Sequence, residues 1–444
     1  MSFSPLVVLP TRNRAELALT ALGSVLECPE QELRVWVSDN STDAAQAERL
    51  RAACAGLGDP RLQYLRPDEP LSMSRHWEWI VQRALAEGAK PGAATHLAML
   101  TDRMVFVAGA LTDLLRAAAR HPQHVLVYPN DHLDDLRQPA RLNQHEWTGA
   151  VVELDSTAFI AHMRASGWSI ALPRLLNCMA PLAVCERLRA AYGNVLDSIS
   201  PDVCFGFRVL EREPNFLFLD RPLIVDYAIA RSNGHSAARG IQTGDFKDFL
   251  RQLDARGMNF LAPVPGLPGP VSSVFHEYNA VRAHSHSPRF PALNLATSLR
   301  LLRGELRRVE DPQERQLQQA AVAHWRRRRL AEGMPAGTWR DRAGRIGAKL
   351  APGYLGRKLV KSLSRRRSDY RSAFWRLLGR CGMRPYAVGE RISEWLDPAA
   401  ALAHARTRPL PPVPALPGLA YRVPGRLVEV GSPASSGGAG EAAP

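Results

Sequence analysis

The sequence predicts an α/β protein, with a doubly wound, mostly parallel sheet flanked by helices and then a basic, mainly helical extension. Three observations predict it. Short apolar runs alternate with helical patterns through short turns, which is the pattern of βαβ units. The first two runs, Leu6–Pro10 and Leu33–Ser38, end in polar, turn-prone residues, as buried parallel strands do where they reach the carboxyl edge of a sheet. The charge is divided along the chain. Residues 291–444 carry 28 Lys+Arg against 12 Asp+Glu, whereas residues 1–290 carry 29 against 31.

The elements follow in order. After the first run, Leu17, Leu19, Leu22, Val25 and Leu26 have helical spacing, and after the second a helix capped by Thr42 or Asp43 runs to about Gly56. Leu62–Leu65 reads as a short third strand. Trp77, Ile80, Val81, Ala84 and Leu85 read as a helix broken at Gly88–Gly92, and His96–Leu100 as a fourth strand. Gly109–Ala119 is the next helix and Val125–Tyr128 a fifth strand. From Asn130 to about Ala171 the pattern weakens, and the acidic turn Asp131–Asp135 reads as a surface loop. Leu172–Val195 reads as helical, and Phe216–Leu219 and Leu223–Val225 as strands. A Pro/Gly-rich linker, Ala262–Pro270, precedes helices expected at about 292–332 and 354–380. A Pro-rich, then Gly/Ala/Ser-rich tail from about Pro409 is expected to be disordered.

Composition excludes several classes. The 45% apolar and 23% charged content is that of a globular chain, but a net charge of +14 is not ordinary. Six cysteines form no C-x-x-C pair, so reduced thiols are expected rather than a zinc site or a disulfide framework. The start has no basic segment followed by a long apolar one, and no run of about 18 apolar residues occurs. A cytoplasmic protein is expected, or one at the inner face of the membrane. No P-loop, no G-x-G-x-x-G after the first strand and no G-x-S-x-G appears, which argues against phosphate-loop, dinucleotide and common hydrolase sites.

The openings "VVLPTRNR" and "VWVSDNSTD" resemble those of a family 2 glycosyltransferase of the GT-A fold. The resemblance covers roughly residues 1–240. It implies an inverting enzyme that moves a sugar from a nucleoside-diphosphate sugar to a hydroxyl of a glycan or lipid-linked acceptor, in the making of a polysaccharide or glycoconjugate. It places Thr11, Arg12, Arg14 and Asp39 at the nucleotide. The segment Leu71–Trp79 and the loop Arg231–Ser236 are similar to segments of one subset of the family, and Arg231 or His235 would reach the leaving diphosphate. The fourth strand of the family ends in paired acids that hold a divalent cation, Mn²⁺ or Mg²⁺, across the donor phosphates. Here Asp102 stands alone, with Arg103 and Met104 where further acids would be. Either Asp102 holds the metal or Arg103 supplies the positive charge directly. Asp202, in Ser-Pro-Asp, matches the position of the family's catalytic base, and Asp197 is its rival. A catalytically inactive binding protein on the same scaffold is the alternative, and a nucleotidyltransferase a more distant one.

The resulting division is a glycosyltransferase domain at 1–240, a connecting segment at 241–290, a basic helical extension at 291–400 and a tail at 401–444. The arginine runs at Arg326–Arg329 and Arg365–Arg367, interleaved with apolar residues such as Leu355, Leu359 and Leu363, suit an anionic membrane surface better than nucleic acid.

Overall fold

The computed structural model describes residues 3–88, 93–166, 169–240, 244–258, 264, 267, 269–293, 295–332, 390–412 and 425–429. The expected helix at 354–380, the Arg365–Arg367 run and Cys381 lie outside these. The other five cysteines are buried free thiols.

The first half builds the frame: β1 (Pro5–Thr11), α1 (Ala15–Leu26), β2 (Arg34–Asp39), α2 (Ala44–Leu57), β3 (Leu62–Leu65), α3 (Met73–Gly88) and β4 (His96–Met99). Then come β5 (Met104–Phe106), α4 (Ala110–Arg120), β6 (Leu126–Val127), β7 (Asn130–Asp134), β8 (Ala140–His145), β9 (Val151–Asp155) and α5 (Ser156–Ser166). The middle holds β10 (Cys178–Pro181), α6 (Leu182–Tyr192), α7 (Pro201–Arg212), β11 (Asn215–Leu219), β12 (Ile224–Asp226), α8 (Asn233–Arg239) and α9 (Gly244–Ala255). The remaining elements are α10 (Pro270–Ser285), α11 (Leu295–Leu306), α12 (Pro312–Ala331), β13 (Glu390–Trp395), α13 (Pro398–Thr407) and β14 (Gly425–Glu429).

The fold is mixed α/β, as the alternating pattern predicts. A nine-stranded sheet has the order β14-β9-β11-β6-β10-β4-β1-β2-β3, and a smaller sheet the order β13-β8-β7-β12-β5. Strands β3, β2, β1 and β4 are parallel, while β10 and β9 run against their neighbours. Every residue of β1 is buried, which is why it reads as a continuous apolar run. On α1, Ala18, Ala21, Leu22 and Val25 face inward; each large aliphatic side chain so buried stabilises the fold by about 1.5–3 kcal/mol. The chain leaves β1 toward β2 and β3 and later returns on the other side of β1 as β4. The order therefore reverses between β1 and β4, and their carboxyl ends form the crevice where ligands of open α/β sheets bind.

Several elements differ from expectation. Residues 172–195 are not one helix: Cys178, Met179 and Ala180 form the fully buried strand β10, and only Leu182–Tyr192 is helical. A four-residue apolar run cannot be told from a buried helical turn by periodicity. The weak stretch after Asn130 is the β7–β8 hairpin plus β9, and Asp131–Asp134 lies on β7 rather than in a loop. The stretch expected as a linker contributes Val264 and Leu267 to a second core with Phe275, Leu302, Val322 and Trp325. From α10, Tyr278 and Val281 join the main core, with Tyr278 edge-on to Phe207 of α7. The last third returns to both sheets. Strand β13 pairs with β8, and β14, from the stretch expected to be disordered, pairs with β9 at the edge of the large sheet. There Glu429 accepts from Arg120 and sits 2.7 Å from His121.

Candidate active site

The crevice opens into a cavity of about 840 Å³. Thr11, Arg12, Arg14, Asp102, Arg103, Asp202 and Arg231 all line it. Seven arginines and four aspartates line it in total, so its formal charge is positive and it suits an anionic ligand.

The loop after β1 is fixed residue by residue. Asn13 adopts a left-handed backbone with φ 56°, a conformation Asn tolerates because its short amide bonds locally. Its Oδ1 accepts from the Thr42 and Asp43 amides, each at 2.9 Å, and its own amide donates to Ser41 Oγ at 2.8 Å. The loops after β1 and β2 are thereby joined. Asp43, one of the two expected caps, accepts from the Ala45 and Gln46 amides and starts α2. Arg12 Nη1 and Asn40 Nδ2 both donate to the Leu71 carbonyl, at 3.1 and 2.8 Å, which ties the segment before α3 to the same rim. Within α3, Trp77 and His76 face the cavity, and burial pushes His76 down to about 3, so the imidazole is neutral. It pairs with Ser38 Oγ at 2.8 Å.

Asp102 stands just past β4, directly across the crevice from β1. Thr11 Oγ1 donates to its Oδ2 at 2.8 Å, and Arg14 Nη1 lies 3.3 Å from its Oδ1. Arg14 Nη2 reaches over to the Arg231 carbonyl at 3.0 Å, closing the crevice with the turn after β12. That turn is itself held by Asp135, which accepts from the Ala228 and Ile229 amides at 2.8 and 2.9 Å. Ala228 has φ 51°, so the carboxylate pins a strained residue. Arg103 folds back onto β12, where Nη1 donates to the Tyr227 carbonyl at 3.3 Å. Burial pulls its guanidinium below its ordinary value, and the charges of Asp226, Asp102 and Asp135 oppose that pull.

Asp202 enters from the opposite wall, in the first turn of α7 behind Pro201. Its carboxylate lies 3.8 Å from Arg174 Nη1 and its side chain is 19% exposed. Burial raises its pKa, against the opposing charge of Arg174 and the local amides. The rival, Asp197, is off the cavity; Arg256 Nη2 bridges both its oxygens at 2.8 and 3.0 Å. The turn before Asp202 rests on Glu277 of α10, which accepts from Ser198 Oγ at 2.8 Å and the Ser200 amide at 2.9 Å.

Asp39 is placed differently from the others. It has no solvent exposure and does not line the cavity. Its oxygens accept from the Ser41 amide at 2.8 Å and the Tyr64 hydroxyl at 2.7 Å, with Arg66 at 3.5 Å. It lies directly behind Asn40, which does line the cavity.

A divalent cation does not fit the donor set at the strand end. Asp102 is the lone carboxylate there, it is already engaged by Thr11 and Arg14, and Arg103 follows it. Among the described residues, no group of three His, Cys, Asp or Glu side chains could hold a metal. Asp131, Asp134 and Asp135 are spent on the His145 amide, on Arg137 and on the turn after β12.

Sequence reasoning missed Asn130, His132 and Asp226, which also line the cavity. His132 Nδ1 is 2.7 Å from Asp226 Oδ2, and Asn130 donates to Asp226 Oδ1. The signal for Asn130 and His132 was the acidic, His-bearing stretch that follows the fifth apolar run, whereas Asp226 directly follows the apolar run Leu223–Val225.

No protein-family model matches the chain, and no curated protein sequence matches it. Among solved structures, the chain is similar to S. aureus TarS 1-349 in complex with UDP-GlcNAc, at 12% identity over 75% of this chain and 93% of that one, with a TM-score of 0.39. It is also similar to the mannosyltransferase PcManGT from Pyrobaculum calidifontis in complex with GDP-Man and Mn²⁺, at 14% identity over 74% and 88%, with a TM-score of 0.38. Among the described residues, no helix is long and apolar enough to cross a membrane.

Proposed function

We propose that this chain is an inverting glycosyltransferase of the GT-A type, using a nucleoside-diphosphate sugar to glycosylate a hydroxyl of a glycan or lipid-linked acceptor. The observation that carries the reading is the pairing of two walls around one positively charged cavity. On one wall, Asp102 is fixed at the β1–β4 switch point by Thr11 and Arg14, with Arg103 beside it. On the other, Asp202 enters from α7 with a raised pKa.

The chemistry divides accordingly. Arg103 and Arg14 offset the negative charge that grows on the leaving diphosphate, which is preorganised electrostatic stabilisation. Asp102 bonds the ribose or the sugar. Asp202 takes the proton of the acceptor hydroxyl as its oxygen attacks the anomeric carbon from the face opposite the leaving group. Its raised pKa makes it a stronger base once ionised. Asp39 acts through Asn40 and the β2 loop, which it braces, so its part in nucleotide binding is indirect.

The test is a thermal-shift screen of nucleoside-diphosphate sugars, followed by hydrolysis and transfer assays with the best binder. A ligand at 100 times its Kd adds about 2.7 kcal/mol of stability. Binding followed by sugar release supports the enzyme. Binding with no release under any acceptor or pH supports the inactive scaffold, a reading that the arginine and methionine after Asp102 favour. Absence of binding by every donor would end both readings. In the glycosyltransferase reading, the basic surface of α12 and the segment beyond it would hold the enzyme at an anionic membrane.

A further inference from the structure

Asp226 is a junction between two cations. From β12 it receives His132 of β7 through one oxygen and Asn130 through the other, while Arg103 lies on its far side. The backbone register sets this meeting: Asp226 is opposite His132 on one flank and opposite Met104, next to Arg103, on the other. Asp226, His132 and Arg103 all line the cavity, and Asp102 and Asp135 add further negative charge around Arg103. His132 Nδ1 is taken by Asp226, its side chain is 30% exposed, and Nε2 has no partner among the described residues.

We propose that His132 is an anion-holding residue of this site: clamped by Asp226 through Nδ1, it presents Nε2 to the diphosphate part of the ligand and binds it as an imidazolium. The proposal rests on the reading of the ligand as a diphosphate. It supplies a second cation, beside Arg103, where the strand end lacks the acids to hold a metal.

The surroundings of His132 favour the charged form. Burial alone would lower its pKa, but the bond to Asp226 and the charges of Asp226, Asp134 and Asp135 raise it overall. Asp226 faces it from β12, Asn143 lies opposite on β8, and Asp134 follows on its own strand. From α8, His235 stands 6.4 Å away between ring centres, and its own burial, Arg239 and His132 hold it below its ordinary value. A pH-gated anion site follows. It is filled while the imidazole is protonated and weakens as pH rises through its pKa.

Titration calorimetry with inorganic pyrophosphate, from pH 5.5 to 8.5, tests this on the full chain, its His132→Gln variant and its Asp226→Asn variant. The ligand's own titration is common to all three and cancels in the affinity ratios. At the acid end the unaltered chain should bind about tenfold tighter than His132→Gln, the loss expected for one charge-assisted hydrogen bond. The gap should close as pH rises. Asp226→Asn should still orient the ring through its amide oxygen but remove the neighbouring anion, so its affinity should fall away at lower pH. A gap that does not change with pH, the absence of any gap, or no pyrophosphate binding by the unaltered chain would each overturn the proposal. A readout independent of variant folding is the NMR titration of the His132 ring in the unaltered chain: pyrophosphate should raise its midpoint, and an unmoved midpoint sinks the idea. Proton-linked pyrophosphate binding without turnover of any sugar nucleotide would keep His132 and remove the transferase reading. Turnover with a pH-independent His132→Gln effect would do the reverse.

Discussion

The two walls of the cavity are built in different ways. The strand-end wall, from β1, β2, β4, β7 and β12, is polar and closely hydrogen-bonded. Asn13, Asn40, Asp102 and Asp135 each satisfy partners from other segments, so this wall is fixed before any ligand arrives. The helical wall, from α5, α7, α10 and α11, presents Ile160, Met163, Phe207, Val274 and Leu301, with Arg164, Arg174, Asp202 and Ser273 among its polar residues. Each wall also buries one carboxylate behind it. Asp39 is matched by Tyr64 and Arg66, whereas Glu277 has hydroxyl, thiol and amide partners with Arg208 at longer range. A wall of fixed dipoles suits an invariant charged group such as a diphosphate. An apolar wall with a single base suits an acceptor recognised by shape.

The comparison breaks most sharply at Asp202. If the helical wall serves the acceptor, Asp202→Asn should lower transfer by about 10²–10⁴ while leaving donor binding nearly unchanged. Calorimetry with the donor and initial-rate transfer assays separate the two effects. Equal loss of binding and transfer would move Asp202 to the donor side. An unaltered rate would leave the helical wall without a base, since Asp197 is closed off by Arg256.

Next in size is Arg103→Ala. Loss of a preorganised group facing the leaving diphosphate typically costs about 10²–10³ in rate. It should slow donor hydrolysis and transfer alike, because both expel the same leaving group, and chelators should not affect the unaltered enzyme. Complete loss of activity in chelator, restored by Mn²⁺ or Mg²⁺, would overturn this assignment.

A smaller effect is expected at Thr11. Thr11→Val keeps the shape but leaves Asp102 Oδ2 without its 2.8 Å bond. Hydrogen bonds to charged groups contribute about 1.5–3 kcal/mol, so donor affinity should fall by roughly tenfold or more with transfer chemistry spared. Donor calorimetry on the variant checks it; unaltered affinity would mean Asp102 is fixed well enough by Arg14 alone.

The same division decides what could be read from the sequence. The β1 and β2 part of the strand-end wall was legible because its residues lie in two continuous stretches, where an apolar run ends in turn residues and so announces both the strand and its edge. Asp102 and Arg103 were legible for the same reason. Asp202 was legible through its resemblance and its Pro-Asp helix start. What escaped was assembled from afar. His132 meets Asp226 94 residues away, and Glu277 meets Ser198 79 residues away. Neither pairing has local periodicity to betray it. Strand β10 hid as a four-residue apolar run inside an apparent helix, and β14 hid in a Gly- and Pro-rich tail because its partner β9 supplies the ladder that its own sequence does not advertise.

The mildest test concerns stability and the two buried acids. Glu277 is fully enclosed, and burial pushes it up to about 7, against the bonds from the Ser200 amide and Ser198 and the charge of Arg208. Its ordinary value is near 4.5. Between those two values the unfolded chain releases its proton while the folded chain keeps it. The folded state binds more protons there, so stability falls as pH rises from about 4.5 to about 7 and levels off above. Glu305, which burial also pushes to about 7, adds a fall in the same window from the second core. In Glu277→Gln no proton is released, so the decline of Tm between pH 5 and 7.5 should be shallower by a few degrees, with Glu305 still contributing its share. Thermal unfolding at fixed ionic strength across that range measures it. A Tm profile identical in shape to that of the unaltered chain would mean that Glu277 is ionised in the folded protein throughout. The turn before Asp202 would then rest on a buried charge, and the contrast between the two walls would vanish at its deepest point.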